Sequence, residues 1–220
     1  MITLETVKNC DKVREYMSQG NTYIGNMGAI EHNVNHALLT ADLCYHILDK
    51  LGYPEREAEL GAIAAYLHDI GNLVNRYGHG LSGGMIAFNI LLDLGMEAEE
   101  IATIIGAIGN HEEHAGGFTV NNVAAALIIA DKSDVHRSRV RKREISAFTP
   151  RDRVNYAVTN TNLIVNDLAM KISLEIIIDI RVCSVMEYFE IFLTKMLMCR
   201  RAANYLGCDF ELLINDTQLL

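Results

Sequence analysis

Through roughly the first 145 residues, apolar positions recur every three to four places, and the interruptions carry glycine or proline. That spacing predicts successive amphipathic helices over about 3–18, 31–51, 55–69, 83–95, 97–110 and 120–143. The breaks are set by Gly20-Asn21, Gly52-Tyr53-Pro54, Gly71-Asn72, the glycines from Gly78 to Gly80, Gly95 and Gly116-Gly117. After Thr149-Pro150 the texture changes. From Lys171 to Ile180, Ile172, Leu174, Ile176, Ile178 and Ile180 alternate with Ser173, Glu175 and Asp179, the signature of a half-buried strand. Residues 156–166 are β-prone and precede it across Asn166-Asp167 as a hairpin partner. A helix over 183–206 and a short strand from Phe210 to Ile214 complete the chain. The fold expected is mostly α: a helical domain over 1–148 and a small α+β domain over 149–220.

Composition agrees with that outline. A chain of 220 residues, half of them hydrophobic, buries a sizeable core, and two prolines with no tryptophan favour helices over a β-sandwich. The five cysteines form no C-x-x-C pair and are odd in number, so a reducing cytoplasm is the expected location. Met1–Lys12 carries Glu5 and Asp11 and lacks the apolar stretch of a signal peptide. The apolar run Ala124–Ala130 is too short to span a bilayer, so no membrane association is expected.

The net charge is −9, but Lys132–Arg153 holds eight Lys/Arg against three Asp/Glu. On an acidic protein such a segment reads as an anion clamp rather than a nucleic-acid surface, or else as a solvated helix end. Met186, Met196 and Met198 have core spacing; the functional alternative for them is a homodimer interface.

The chemistry lies in the histidines. All eight fall between His32 and His136. In order the chain supplies His36, the adjacent pair His68-Asp69, His79, His111 and then Asp131. Imidazole with carboxylate is the usual donor set for first-row metals, so one or two bound ions are expected. On a continuous helix His68 and Asp69 would point about 100° apart; at a helix end, which Ile70-Gly71-Asn72 supplies, they can share an ion. His36 and Asp131 lie inside predicted helices, and Asp131 follows the apolar Leu127–Ala130, where an unpaired carboxylate would be costly. Asp134 lies near Asp131 around the helix and can orient a ligand or fix a basic side chain; His46 and His136 point elsewhere.

With its contexts "AAYLHDIGN" and "ALIIADKSD", this set resembles the HD-domain metal-dependent phosphohydrolases over about residues 25–145. The resemblance implies an HD-type helical bundle with one metal on His36, His68, Asp69 and Asp131. It implies a second on Asp69, His79 and His111, with Asp69 bridging. Some relatives carry an acidic ligand four residues before the first histidine; here His32 takes that place, and His32 and His114 are additional candidates. The cyclic-dinucleotide branch has two adjacent histidines and a Gly-Tyr-Pro loop where this chain reads His111-Glu112-Glu113-His114, a departure that speaks against that substrate.

The implied function is hydrolysis of a phosphomonoester, nucleotide or phosphodiester by a metal-activated hydroxide, with Fe, Mn, Zn, Ni or Co as the ion. His36, His68, Asp69, Asp131 and Lys132 would form the catalytic set, and Lys132, Arg137 and Arg139 would contact the phosphate of a small phosphorylated substrate. Neither nucleotide-binding glycine motif, G-x-x-x-x-G-K-[ST] or G-x-G-x-x-G, occurs. The alternatives are a di-iron oxygenase of the same superfamily and a metal-binding sensor module.

Overall fold

A computed structural model describes residues 1–113 and 116–219. Its order is α1 (Leu4–Lys8), α2 (Asp11–Asn26), α3 (Val34–Lys50), α4 (Glu55–Leu67), α5 (His79–Asp93), α6 (Ala98–Gly109), α7 (Asn122–Ser133), α8 (Pro150–Ala157), β1 (Val158–Asn166), β2 (Lys171–Ile178), α9 (Val185–Tyr205), β3 (Asp209–Ile214) and β4 (Thr217–Gln218). Short 3₁₀ turns cover Ile70–Leu73, Arg137–Arg139 and Ile145–Ala147. The architecture is a helical bundle with a small C-terminal sheet and helix. His114 lies outside the described residues. No described helix is long and apolar enough to cross a membrane.

Helix α7 is the axis of the bundle. Every residue from Val123 to Ala130 is fully buried, because α3, α4, α6 and α9 all pack against it. This explains its all-round apolar sequence, which carries little helical periodicity. The buried core runs without interruption from Val7 to Ile214.

The helix ends differ from the periodicity reading in ways that have local causes. The stretch 3–18 breaks at Asn9-Cys10, and α2 then continues through Gly20. Gly20 is a contact point instead of a break: a Cβ there would lie 3.0 Å from the Leu73 nitrogen. In the same way α5 begins at His79, four residues before the expected start. Only Gly78, at φ +70°, turns the chain, while Gly80 and Gly83 let α5 lie against α6 and the 3₁₀ turn. Helix α7 stops at Ser133, ten residues early, so the basic segment that follows is not helical as a whole and is no helix end.

Thr149 caps α8 reciprocally with Asp152, with Pro150 in the first turn, a helix start that the periodicity reading does not include. The sheet order is β1-β2-β3-β4, with β2 and β3 parallel across α9 and the other pairs antiparallel. Ile172, Leu174, Ile176 and Ile178 face the core as the alternation predicts, whereas Ile180 lies beyond the strand and is exposed. Asn215 and Asp216, both at positive φ, turn the chain into β4, which the sequence reading missed.

Candidate metal centre

Four imidazoles and two carboxylates converge on the floor of a recess at the middle of the bundle. Helix α3 supplies His36, whose backbone is set by Asn33 capping the helix start. His68 is the residue after α4, and its Nδ1 donates to the carbonyl of Ala65 at 2.6 Å. His111 follows α6 and donates Nδ1 to the carbonyl of Ile108 at 2.6 Å. Both rings thereby occupy last-turn carbonyls that a helix leaves without partners. His79 opens α5 and donates to the carbonyl of Arg76 at 3.0 Å. His36 Nδ1 donates to Asp134 Oδ2 at 2.6 Å.

The consequence is chemical. A nitrogen that faces a carbonyl or carboxylate carries the hydrogen, so in each neutral ring Nε2 is left with a lone pair. These Nε2 atoms point at one another: His36 and His68 at 3.3 Å, His79 and His111 at 3.0 Å. Lone pairs at such separations require a proton or a cation between them. In the metal-free fold protons take that place. Burial would lower His68, but Asp69 and Asp131 outweigh it and push it up to about 10. His79, raised against burial by Asp69 and Glu112, reaches about 9. Buried His111, beside these two charged rings, falls to about 3.

Donor spacing fits a metal. Ligands about 2.0–2.1 Å from a tetrahedral ion stand about 3.3–3.4 Å apart. His36 Nε2 is 3.5 Å from Asp69 Oδ2 and 3.5 Å from Asp131 Oδ1. His68 Nε2 is 3.2 Å from Asp69 Oδ2 and 3.5 Å from Asp131 Oδ1. Asp69 turns its other oxygen to the second group, with Oδ1 3.3 Å from His79 Nε2. Three donor triads result, His36/His68/Asp69, His68/His111/Asp131 and Asp69/His79/His111, each within 4.8 Å. Asp69 Oδ2 is buried and accepts no hydrogen bond, an orphaned carboxylate oxygen of the kind a cation satisfies.

The surrounding residues fix these donors. Asp134 also meets Arg139 Nη1 at 3.4 Å, so it both orients the His36 ring and holds a basic side chain. Lys132 is 0% exposed, and its ammonium donates to Asp131 Oδ2 (2.9 Å) and the His111 carbonyl (2.7 Å), beside Glu113 Oε2. It is therefore engaged behind the floor and does not line the recess. Glu112, which sequence reasoning passed over, accepts the amides of Gly78 and Gly80 and faces His79 Nδ1 at 3.3 Å. Those amides and His79 overcome burial and hold its carboxyl down at about 2. His32 precedes α3 rather than lying one turn back on it; its Nδ1 meets the Ile30 carbonyl, and its ring stands 5.7 Å from that of His36.

Gly71 lets the 3₁₀ turn and α5 touch, since a Cβ there would come within 2.0 Å of the His79 carbonyl.

Opposite the floor stands a cationic wall. Arg139 lines it, with Nε on the Glu31 carbonyl and NH1 on that of Asp134. Arg137 does not; its guanidinium lies 5.2 Å over the Tyr156 ring. Arg76, Arg151 of α8 and Lys195 of α9 complete the wall. Their distance apart in the chain hid them from sequence reasoning. Met196 and Met198 are buried core residues and Met186 is exposed. His136 and His46 lie apart from the recess.

Residues 33–147 match the HD domain family model. The uncharacterized protein MJ1020 of Methanocaldococcus jannaschii is 28% identical over 163 residues, which span 64% of this chain and 62% of that protein's length. A crystal structure of a predicted HD superfamily hydrolase from an uncultured Thermotogales bacterium aligns at 19% identity with a TM-score of 0.44, covering 57% of this chain and 67% of that one.

Proposed function

The chain belongs to the HD-domain family, and from that premise we propose that it is a metal-dependent hydrolase of phosphate esters using two divalent transition-metal ions. The observation that supports this most is the split carboxylate of Asp69, with Oδ2 toward His36 and His68 and Oδ1 toward His79. His36, His68, Asp69 and Asp131 would hold one ion; Asp69, His79 and His111 would hold the other. Fe, Mn, Zn, Ni and Co all suit such nitrogen and oxygen donors. Bound there, the ions supply a lowered pKa for water and neutralise charge on phosphoryl oxygens.

The protein's own part is orientation. Lys132 holds Asp131 by Oδ2 and leaves Oδ1 to the floor. Asp134 fixes the His36 ring, and Glu112 fixes the start of α5, which carries His79. The cationic wall suits a small phosphorylated substrate better than it suits dioxygen, which favours hydrolysis over the oxygenase alternative.

The test is metal analysis of the purified chain, with phosphate release from a panel of phosphomonoesters, nucleotides and phosphodiesters measured under nitrogen. We expect close to two ions per chain, falling to one in His79→Ala and in His111→Ala. A fully active protein with one ion overturns the two-metal form; no phosphate release from any ester overturns the hydrolase.

A further inference from the structure

Most cations around the recess are already engaged by the protein. Lys132 is saturated by protein oxygens. Lys142 pairs with Asp152, Arg153 with Glu187, and Arg141 with Glu31. The cations that line the recess are engaged only in part. Arg139 is only 7% exposed and meets Glu31 and Asp134 through Nε and Nη1, yet its Nη2 is buried with no hydrogen-bond partner among the described residues. The Arg151 guanidinium makes no hydrogen bond or ion pair among the described residues, although the side chain is only partly exposed. Lys195 stands 4.0 Å from Glu113 Oε1, the far limit of an ion pair, with its ammonium 5.3 Å over the Phe192 ring. Arg76 donates to Asn72 at 3.3 Å and stays 3.9 Å from Asp69 Oδ1.

Buried cations are ordinarily paired, because desolvation costs several kcal/mol per ion unless an opposite charge offsets it. Here burial lowers Lys195 to about 8 and lowers Arg151 as well, the latter further depressed by Arg76 across the recess. Beside these four cations the lining carries two carboxylates, Glu113 and Asp134, and Asp134 is shared with His36.

We propose that Arg151 and Lys195, from helices beyond the HD-matched segment, join Arg139 and Arg76 in a clamp for the terminal dianionic phosphate of a phosphomonoester. This rests on the hydrolase reading of the same site. The dianion is favoured over a diester for two reasons. A monoester offers three non-bridging oxygens and two charges, enough to engage two guanidinium groups as well as the floor. The floor carboxylates Asp69 and Asp131 are only 10% and 13% exposed under α8 and α9, which admits a chain end more readily than a continuous polymer. The C-terminal helices thus act as a specificity wall. Arg137, stacked on Tyr156, has no part in it.

The experiment uses the full chain loaded with Mn. Inorganic phosphate binding is measured by calorimetry, and turnover is measured on p-nitrophenyl phosphate and bis(p-nitrophenyl) phosphate. Wild type is compared with Arg151→Gln, Lys195→Gln, Arg151→Lys and a control, Arg153→Gln.

We expect the phosphate Kd to rise about tenfold in Arg151→Gln and Lys195→Gln, with partial rescue in Arg151→Lys and no change in the control. Metal content and melting temperature should hold, and the monoester preference should shrink. An unchanged phosphate Kd in both glutamine variants overturns the clamp, and wild-type turnover would then leave the hydrolase standing. Weakened phosphate binding in the variants, with no turnover by wild type, keeps the clamp and overturns the hydrolase.

Discussion

On the floor of the recess, His36, His68, His79 and His111 each commit one ring nitrogen to a nearby carbonyl or carboxylate, whereas on the wall the Arg151 guanidinium commits none of its donors among the described residues. The two surfaces face each other, and the difference follows from what each would receive. A metal ion tolerates little error in donor position, so its ligands are fixed by outer hydrogen bonds before it arrives. A phosphate that must enter and leave is better met by donors left free, at the cost of unpaired charge. Rigidity belongs to the floor, built wholly from the HD segment, and openness to a wall that the HD segment shares with the helices that follow it.

The largest blow to this division should come from Gly71→Ala. The new Cβ would sit 2.0 Å from the His79 carbonyl and 2.5 Å from the Gly83 nitrogen, so α5 must move and carry His79 away from Asp69. We expect a loss of about 3 kcal/mol or more in denaturant unfolding, and metal content falling toward one. Two tightly held ions in this variant would show that the floor does not depend on that contact.

Next is Asp134, which lines the recess and holds His36 and Arg139. Asp134→Ala should weaken metal affinity by about 10- to 100-fold in chelator competition. Asp134→Asn keeps an acceptor for His36 Nδ1 and should restore much of that loss. Equal losses in both variants would mean that charge, and not ring orientation, is what Asp134 contributes.

A smaller effect separates floor from wall by pH. His68 and His79 keep their protons up to about 10 and about 9 in the metal-free fold, above an unfolded value of about 6.5. Raised folded-state values stabilise fully below the unfolded pKa, and that stabilisation is lost as pH climbs through the folded values. Chelator-stripped protein should therefore lose melting temperature between about pH 6.5 and 10 relative to metal-loaded protein, in which Nε2 is a ligand. Parallel curves for the two forms would refute the proton-for-metal exchange.

The floor was legible in the chain, and of the wall only Arg139 was, for a physical reason. A histidine just past a helix end can occupy a terminal carbonyl and aim its other nitrogen inward, so His68 and His111 are marked by helix periodicity itself. Arg76, Arg151 and Lys195 meet only through tertiary packing. Two weak signals did exist. Arg151 places a cation in a first helical turn, against the dipole, and Lys195 interrupts an apolar stretch between Phe192 and Met196. Glycines misled in the opposite direction: Gly20 and Gly80 read as breaks because conformational freedom and close packing leave the same letter in the sequence. Arg137 and Arg139, both candidate phosphate contacts on a helix expected to run to 143, part company because α7 ends at Ser133 and the 3₁₀ turn that follows sends only Arg139 to the recess.

The smallest expected effect makes the sharpest comparison, because it pits two arginines of one basic segment against each other. Arg137 sits over Tyr156 with its Nε buried and no hydrogen-bond partner, so its contribution is to packing. Arg137→Gln should cost about 0.5–1 kcal/mol of stability, the worth of a cation–π contact, and move KM for a phosphomonoester by less than about twofold. Arg151→Gln should do the reverse, raising KM while leaving the unfolding midpoint where it was, because no partner among the described residues is lost. Measured side by side, the two variants separate a cation that holds the fold from one that awaits a ligand. A KM change of equal size in both would mean that the wall extends to Arg137, and that the ring of Tyr156 merely parks a side chain which swings to phosphate when substrate arrives.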